Sequence, residues 1–302
     1  MSLIVILGPT AVGKTQLAIQ LANELRGEVI SADSRQVYRG MDLGTGKDLK
    51  EYAVEGKQVT FHLIDIKNAG EAYNVFDFQQ DFYHAYKAIM EKGKTAILCG
   101  GTGLYLEAAL AKEKMQEVPV NYLLRKELET LSQEELVIKL KGLSNKLHNK
   151  TDVIDRERTI RAIEIELHKS QQEETQLSPV KDFKIIGLRM EREKLRERIG
   201  ERLEDRLKEG MIEEVQQLLK QGVSHEQLNY YGLEYRFLSA YIQGETSYEE
   251  MFDDLVQAIR RFAKKQMTWY RRMERKGQII NWINAEEHMD HKVQEALTLI
   301  KK

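Results

Sequence analysis

Residues 8–15 read Gly-Pro-Thr-Ala-Val-Gly-Lys-Thr, the pattern G-x-x-x-x-G-K-T, directly after the apolar run Leu3 to Leu7. These residue types suit the binding of a di- or triphosphate. Gly8 and Gly13 permit a backbone path through Pro9, Thr10, Ala11 and Val12 that turns several N–H groups toward one anion. Lys14 adds a point charge, and the Thr15 hydroxyl suits Mg²⁺. A helix beginning near Lys14 aims its positive dipole end at the same spot. A chance glycine turn is the alternative. The preceding strand, with Leu17, Leu21 and Leu25 at i+4 spacing on the following helix, argues against it.

Other groups could act beside this cradle. Asp33 follows a second apolar run and precedes Ser34, Arg35 and Gln36, a hydroxyl, a fork of donors and an amide suited to reading a base edge. Its carboxylate has two active readings, an Mg²⁺ ligand or a general base toward a second substrate, and a structural one, an Asx turn or helix cap. Gly100-Gly101-Thr102-Gly103 is another glycine-rich turn after a strand. Its glycines allow a ligand close, and Thr102 offers a hydroxyl to a phosphate or a base. Arg198, Arg202 and Arg206 recur at i+4 spacing and could reach a leaving pyrophosphate, with Glu197, Glu201, Glu204 and Asp205 as competing ion-pair partners. Arg158 and Arg161 stand one turn apart, either as a phosphate clamp or as partners of Glu157 and Glu164.

Charge is distributed unevenly. Between Leu255 and Lys276, eight Lys/Arg, Lys264 and Lys265 among them, face Glu274 alone; this +7 segment leaves −9 on the rest of a chain of net charge −2. Such a stripe fits a polyanion, and Phe262, Trp269 and Tyr270 within it suit stacking on unpaired bases. A solvated helix face with core-packed aromatics is the other reading. The seven histidines form no H-x-x-x-H or E-x-x-H cluster, and one cysteine, Cys99, excludes an internal disulfide and fits a reducing cytosol. Flanked by Ile97 and Leu98, Cys99 reads as a buried small hydrophobe. The five-residue apolar run lacks a basic lead, so neither a signal peptide nor a membrane span is expected.

The elements that position these groups are legible in outline. Residues 3–7, 28–32, 59–66 and 95–99 read as strands, and 14–26 and 74–92 as helices, the latter with Phe78, Phe82, Ala85 and Ile89 on one face. Alternating strands and helices predict an α/β fold, a parallel sheet covered on both faces with ligands at the strands' carboxyl ends. From 112 to 182 charged helical stretches dominate, with Leu123, Leu124, Leu128, Leu131, Leu136, Leu140 and Leu143 as the expected apolar face. Residues 183–190 alternate like a strand and rejoin the sheet. The expected organisation is thus a core of 1–111 with 183–302 and a helical insertion at 112–182.

In this order the pieces resemble the bacterial tRNA dimethylallyltransferases (tRNA isopentenyltransferases). The resemblance rests on the 8–15 loop; Ser31 to Asp42 with Thr45 and Lys47; His62-Leu63-Ile64-Asp65; Gly100 to Tyr105; Asp155 with Arg158, Arg161, Ala162 and Glu164; Arg198-Ile199 with Arg202; and Ala263 to Gln266 with Thr268-Trp269. It implies a P-loop sheet with a helical insertion contacting tRNA. It also implies transfer of a dimethylallyl group from dimethylallyl diphosphate to N6 of the adenosine beside the anticodon, by a cytoplasmic, monomeric enzyme using Mg²⁺. On this resemblance the P-loop holds the pyrophosphate with Mg²⁺ on Thr15. Asp33 is the general base, Thr102 partners it or the flipped adenine, and Lys14 and Arg202 serve the diphosphate. Asp33 to Gln36, Thr102, Arg125, Glu157 to Arg161 (with Arg158, Thr159 and Ile160), Lys264 and Lys265 are expected on tRNA. The chain departs from the family pattern at Thr45-Gly46-Lys47-Asp48, where T-A-K-P is usual. It departs again at Tyr231-Gly232-Leu233-Glu234-Tyr235, where I-G-Y-[KR]-[EQ] is usual and a charge is reversed. The residues alone also admit a P-loop nucleoside kinase, an adenylate isopentenyltransferase acting on free AMP or ADP, and a nucleotide-gated RNA-binding module.

Overall fold

The computed structural model describes residues 3–54, 56–143, 153–169 and 176–301. In chain order the elements are β1 Leu3–Leu7, α1 Lys14–Glu24, β2 Glu28–Ser31, a 3-10 turn Leu49–Tyr52, the hairpin β3 Ala53–Val54 and β4 Lys57–Gln58, β5 Phe61–His62, α2 Val75–Glu91, β6 Ala96–Gly100 and α3 Gly103–Ala109. Then follow α4 Tyr122–Leu128, α5 Gln133–Leu143, α6 Arg156–Lys169, β7 Phe183–Arg189, α7 Arg192–Lys208, α8 Met211–Lys220, α9 His225–Tyr230, α10 Leu233–Ile242, α11 Tyr248–Arg275, β8 Ile280–Asn284 and α12 Met289–Lys301.

Six strands form one sheet in the order β5-β2-β6-β1-β7-β8, every neighbouring pair parallel. Parallel strands need helical crossovers, so helices cover both faces and the central strands β1 and β6 are apolar and buried along their length. Period-2 alternation sorts β1 between two cores: Leu3, Val5 and Leu7 pack with α2, α3 and α7–α11, while Ile4 and Ile6 pack with α1 and α12. The face expected on α2 is buried, Phe78, Phe82 and Ile89 being fully enclosed. β7 rejoins the sheet beside β1 as its alternation predicts. The strand expected at 59–66 shrinks to Phe61–His62, because Leu63 and Asp65 take left-handed φ of 63° and 55° and turn the chain out of the ladder.

Two compact units emerge, Met1–Lys112 with Ser178–Lys302, and Glu113–Leu177. In the smaller unit α4, α5 and α6 enclose Leu128, Leu136, Leu140, Ile160 and Ile163. The seven-leucine face predicted there is only partly formed: Leu123 is 84% and Leu143 39% exposed. A break between α4 and α5 resets the helical phase, so the leucines do not share one stripe.

Candidate active site

β1 delivers the chain into the glycine loop at its carboxyl end. A Cβ on Gly8 would lie 2.7 Å from the Leu188 carbonyl oxygen, so β7 packs closer there than a side chain permits. Gly13, with φ 83° and ψ 28°, is the left-handed residue that starts α1, leaving the helix's first N–H groups toward the loop. The Lys14 ammonium donates to the Pro9 carbonyl at 2.7 Å. Burial pushes Lys14 down to about 8; Cys99 and Asp33 pull its pKa up, while the Arg202 charge pushes it further down. One electrostatic cluster therefore joins Lys14, Asp33 and Arg202. Buried Cys99 is pushed up to about 12 by desolvation, an inert thiol as expected.

Thr15 is the second residue of α1 and half-buried. Among the described residues no group of three His, Cys, Asp or Glu could hold a metal ion. A hydroxyl beside an anion cradle fits Mg²⁺ only as an ion shared with phosphate oxygens.

Asp33 follows β2. Its Oδ1 accepts the Arg35 N–H at 2.8 Å and the Gln36 N–H at 3.4 Å, so the Asx-turn reading is correct for one oxygen. Oδ2 has no hydrogen-bond partner among the described residues, which leaves it for chemistry. Thr102, which caps α3 beyond β6, accepts the Ser34 N–H on its hydroxyl at 3.3 Å and donates its own N–H to the Ala32 carbonyl. The ends of β2 and β6 are thus joined, Thr102 holding the residues on either side of Asp33. Gln36 is spent internally between the Ser31 hydroxyl at 2.9 Å and the Gly46 carbonyl at 3.1 Å, while the Arg35 guanidinium lies 4.9 Å over the Tyr230 ring.

Sequence reasoning missed the element that holds these loops. Gln266 of α11 accepts the Thr10 N–H at 2.8 Å and donates to the Gly101 carbonyl at 3.0 Å. One turn on, the Tyr270 hydroxyl donates to the Gly8 carbonyl at 2.9 Å. A buried amide one turn from an enclosed tyrosine, inside a basic helix, was the available signal. The 100–103 glycines also serve protein contacts, not the ligand approach expected. A Cβ on Gly101 would meet the Gln266 amide at 2.3 Å, on Gly103 the Trp269 ring at 2.4 Å, and on Gly100 the Ala32 carbonyl oxygen at 2.2 Å. Of the stripe's aromatics, Tyr270 is fully buried and only Phe262, at 42%, is exposed. Arg261, Lys264, Lys265 and Arg271 of α11 stay exposed.

On α7, Arg202 pairs with Asp48 at 2.5 Å and Arg206 reaches the same carboxylate at 3.3 Å. Arg202 and Arg206 line a narrow cavity with Thr10, Ala11 and Glu234. Burial raises the Glu234 carboxyl above its ordinary range, with the Arg206 charge opposing. The reversed charge at 234 therefore faces arginines of the chain's own α7.

The remaining predicted residues form a cluster within the smaller unit. Arg125 makes a bidentate pair with buried Glu164, at 2.8 and 2.7 Å, and Arg161 adds a 3.0 Å contact to Glu164 and a 2.7 Å bond to the Val118 carbonyl. The ion-pair reading thus holds for Arg161. Thr159 and Ile160 are buried, so their side chains pack α6 and are closed to a surface ligand, which corrects the expected tRNA contact for these two. Glu157 and Arg158 remain exposed.

The model of the family described as IPP transferase matches residues 36–273. The chain is 49% identical over 298 residues to tRNA dimethylallyltransferase 1 of Geotalea uraniireducens, covering 99% of this chain and 97% of that protein. Its structure resembles the tRNA isopentenylpyrophosphate transferase of Bacillus halodurans, with TM-score 0.72, 34% identity, and coverage of 99% and 95% of the two chains. It also resembles a eukaryotic dimethylallyltransferase acting on tRNA, with TM-score 0.77, 25% identity, and coverage of 94% and 74%. With a family model spanning most of its length and relatives near 50% identity over nearly all of it, the chain belongs to the IPP transferase family, that of the tRNA dimethylallyltransferases.

Proposed function

We propose that the chain transfers a dimethylallyl group from dimethylallyl diphosphate to N6 of the adenosine adjacent to the anticodon in tRNA, releasing diphosphate. One observation carries the residue-level reading: α11, whose exposed face is basic, ties the 8–15 cradle to the 100–103 turn, which in turn holds Ala32 and Ser34 on either side of Asp33. These ties support a donor site and an acceptor site side by side within the larger unit.

The exocyclic amine of adenine is a weak nucleophile because its lone pair is delocalised into the ring. As its nitrogen bonds the allylic carbon, the carbon–oxygen bond to diphosphate breaks and the N6 proton passes to Asp33 Oδ2. The allylic carbon can share positive charge as the bond breaks, so most catalysis is stabilisation of the departing diphosphate by loop N–H groups, Lys14 and Arg202. Ile199, Leu203 and Met211 give the narrow cavity beside Ala11 and Arg202 an apolar wall. Thr15 would hold Mg²⁺, which would supply charge neutralisation for the diphosphate when bound. An adenine stacked in an anticodon loop must be extruded to reach Asp33. Lys264, Lys265, Arg158 and Glu157 are proposed on the tRNA, with Ser34 and Arg35 beneath the base; the Gln36 side chain, spent on Ser31 and Gly46, serves the turn instead.

We read the enzyme as a monomer, and the free buried thiol fits the cytoplasm. Among the described residues no helix is long and apolar enough to cross a membrane. The test incubates the protein with Mg²⁺, dimethylallyl diphosphate and either an anticodon stem-loop or AMP. Alkylation of the stem-loop adenosine is expected; alkylation of AMP alone would sink the tRNA assignment.

A further inference from the structure

The loop ahead of Leu49 is held from several sides. Fully buried Lys47 pairs with Asp42 at 2.7 Å and with Asp65, and donates to the Tyr38 carbonyl at 2.6 Å. Glu214 of α8 accepts the N–H groups of Asp42, Leu43 and Gly44 at 2.8, 2.7 and 3.0 Å. A Cβ on Gly44 would lie 2.6 Å from the Tyr235 ring and one on Gly46 2.2 Å from the Arg206 guanidinium, so no slack remains between the loop and its neighbours. Asp48 closes this loop at φ 46° and ψ 47°, a left-handed conformation that most side chains avoid.

From that anchored backbone, one carboxylate takes two guanidiniums: Arg202 at 2.5 Å and Arg206 at 3.3 and 3.4 Å. Arg206 is mostly enclosed; burial lowers its pKa, and the Arg202 charge lowers it further. A shared anion offsets the repulsion between them. Arg202 also lines the cavity with Thr10 and Ala11 of the cradle and is felt by Lys14. The chain thus carries its own anion at the edge of an anion site.

We propose that Asp48 is an internal competitor of the diphosphate for Arg202, and so sets how tightly donor and product diphosphate are held. The inference rests on the diphosphate reading of the cradle. A carboxylate on a loop with no slack cannot retreat, so a diphosphate engaging Arg202 must share the guanidinium with it and bear its repulsion. In a partly enclosed site, one such like charge weakens binding by roughly five- to fiftyfold. Weaker hold favours release of the diphosphate product, which would otherwise linger in a cradle built from N–H groups, Lys14 and Arg202.

The test measures binding of inorganic pyrophosphate by calorimetry, and its inhibition of prenyl transfer, for the full chain and for Asp48→Asn, Asp48→Gly, Arg202→Gln and the Asp48→Asn/Arg202→Gln double variant. Asn and Gly both accept a left-handed backbone, so both substitutions spare the loop. Asp48→Asn and Asp48→Gly are expected to bind pyrophosphate at least fivefold more tightly and to lower both KM for the donor and kcat. The double variant is expected to match Arg202→Gln alone. Pyrophosphate affinity unchanged or weaker in folded Asp48 variants would overturn the proposal, as would failure of both to fold, which would make Asp48 a brace for the loop. If the unsubstituted chain itself binds no pyrophosphate, the diphosphate reading falls first and the proposal with it, a result distinct from the other two.

Discussion

Asp33 divides its carboxylate between structure and chemistry, Oδ1 building the turn that presents residues 34–36 and Oδ2 remaining unbonded. Asp33→Asn keeps an oxygen for the turn and removes the base. A fall in kcat of about 10²–10⁴-fold is therefore expected, with pyrophosphate affinity within about threefold of the parent. Stopped turnover and binding assays check this, and a near-normal kcat would remove Asp33 from the base role. Lys14 is a second single-residue case. Depressed to about 8 by its burial, it loses its charge at mildly alkaline pH. Affinity for dimethylallyl diphosphate should weaken as pH rises through about 8, approaching tenfold per unit above it. Lys14→Arg stays charged throughout and should flatten the profile; parallel curves for the two proteins would contradict the assignment.

At the scale of elements, α11 does two unlike things along its 28 residues. Its buried side ties the two glycine turns together through Gln266 and Tyr270, while its outer side carries Arg261, Lys264, Lys265 and Arg271. Gln266→Ala removes both bonds and leaves the enclosed Gly101 carbonyl one partner short, for which about 1–3 kcal/mol of stability is expected to be lost. Because Thr10 loses its anchor too, KM for the donor should rise beyond what the lower melting temperature explains. Gly103→Ala tests the same contact from the other side: its Cβ would fall 2.4 Å from the Trp269 ring, and overpacking should cost about 1–3 kcal/mol, read by denaturant melts.

Across the whole molecule, the end of the sheet opposite the site carries a different charge cluster. Glu28, 1% exposed at the start of β2, receives Lys94 at 2.8 Å, His62 at 2.7 Å and Lys92 at 3.1 Å. Burial alone would raise its carboxyl, but the hydrogen bonds from Lys94, His62 and Lys92 outweigh burial and hold it at about 2 against an ordinary 4.5. A depressed carboxylate contributes stability that is complete above pH 4.5 and is lost as pH falls toward 2. Glu28→Gln should therefore lower stability near neutrality by about 1–3 kcal/mol and flatten the acid limb of the stability curve between those values. Equal acid limbs in both proteins would show that the cluster is not felt by folding.

The contiguous motifs were readable because covalent spacing alone nearly determines them. Eight consecutive residues set the cradle's backbone, two-residue and 3.6-residue periods set the strands and α2, and together they gave the parallel fold; the family came from resemblance of the ordered set of motifs along the chain. Partnerships between distant residues were not readable, because charge and hydrogen-bonding capacity do not name their own partners. Arg202 had acidic neighbours on its own helix, yet it pairs with Asp48, 154 residues away. Arg161 could have clamped phosphate with Arg158, and Arg125 was expected on tRNA, until Glu164 was seen buried and paired with both Arg161 and Arg125. The glycines of 100–103 read as room for a ligand until packing filled that room with Gln266, Trp269 and Ala32. The sequence by itself determined that an anion site exists and where it begins. Only the tertiary structure decided which charges remain free to serve it, since long-range packing alone chooses which carboxylate each arginine meets.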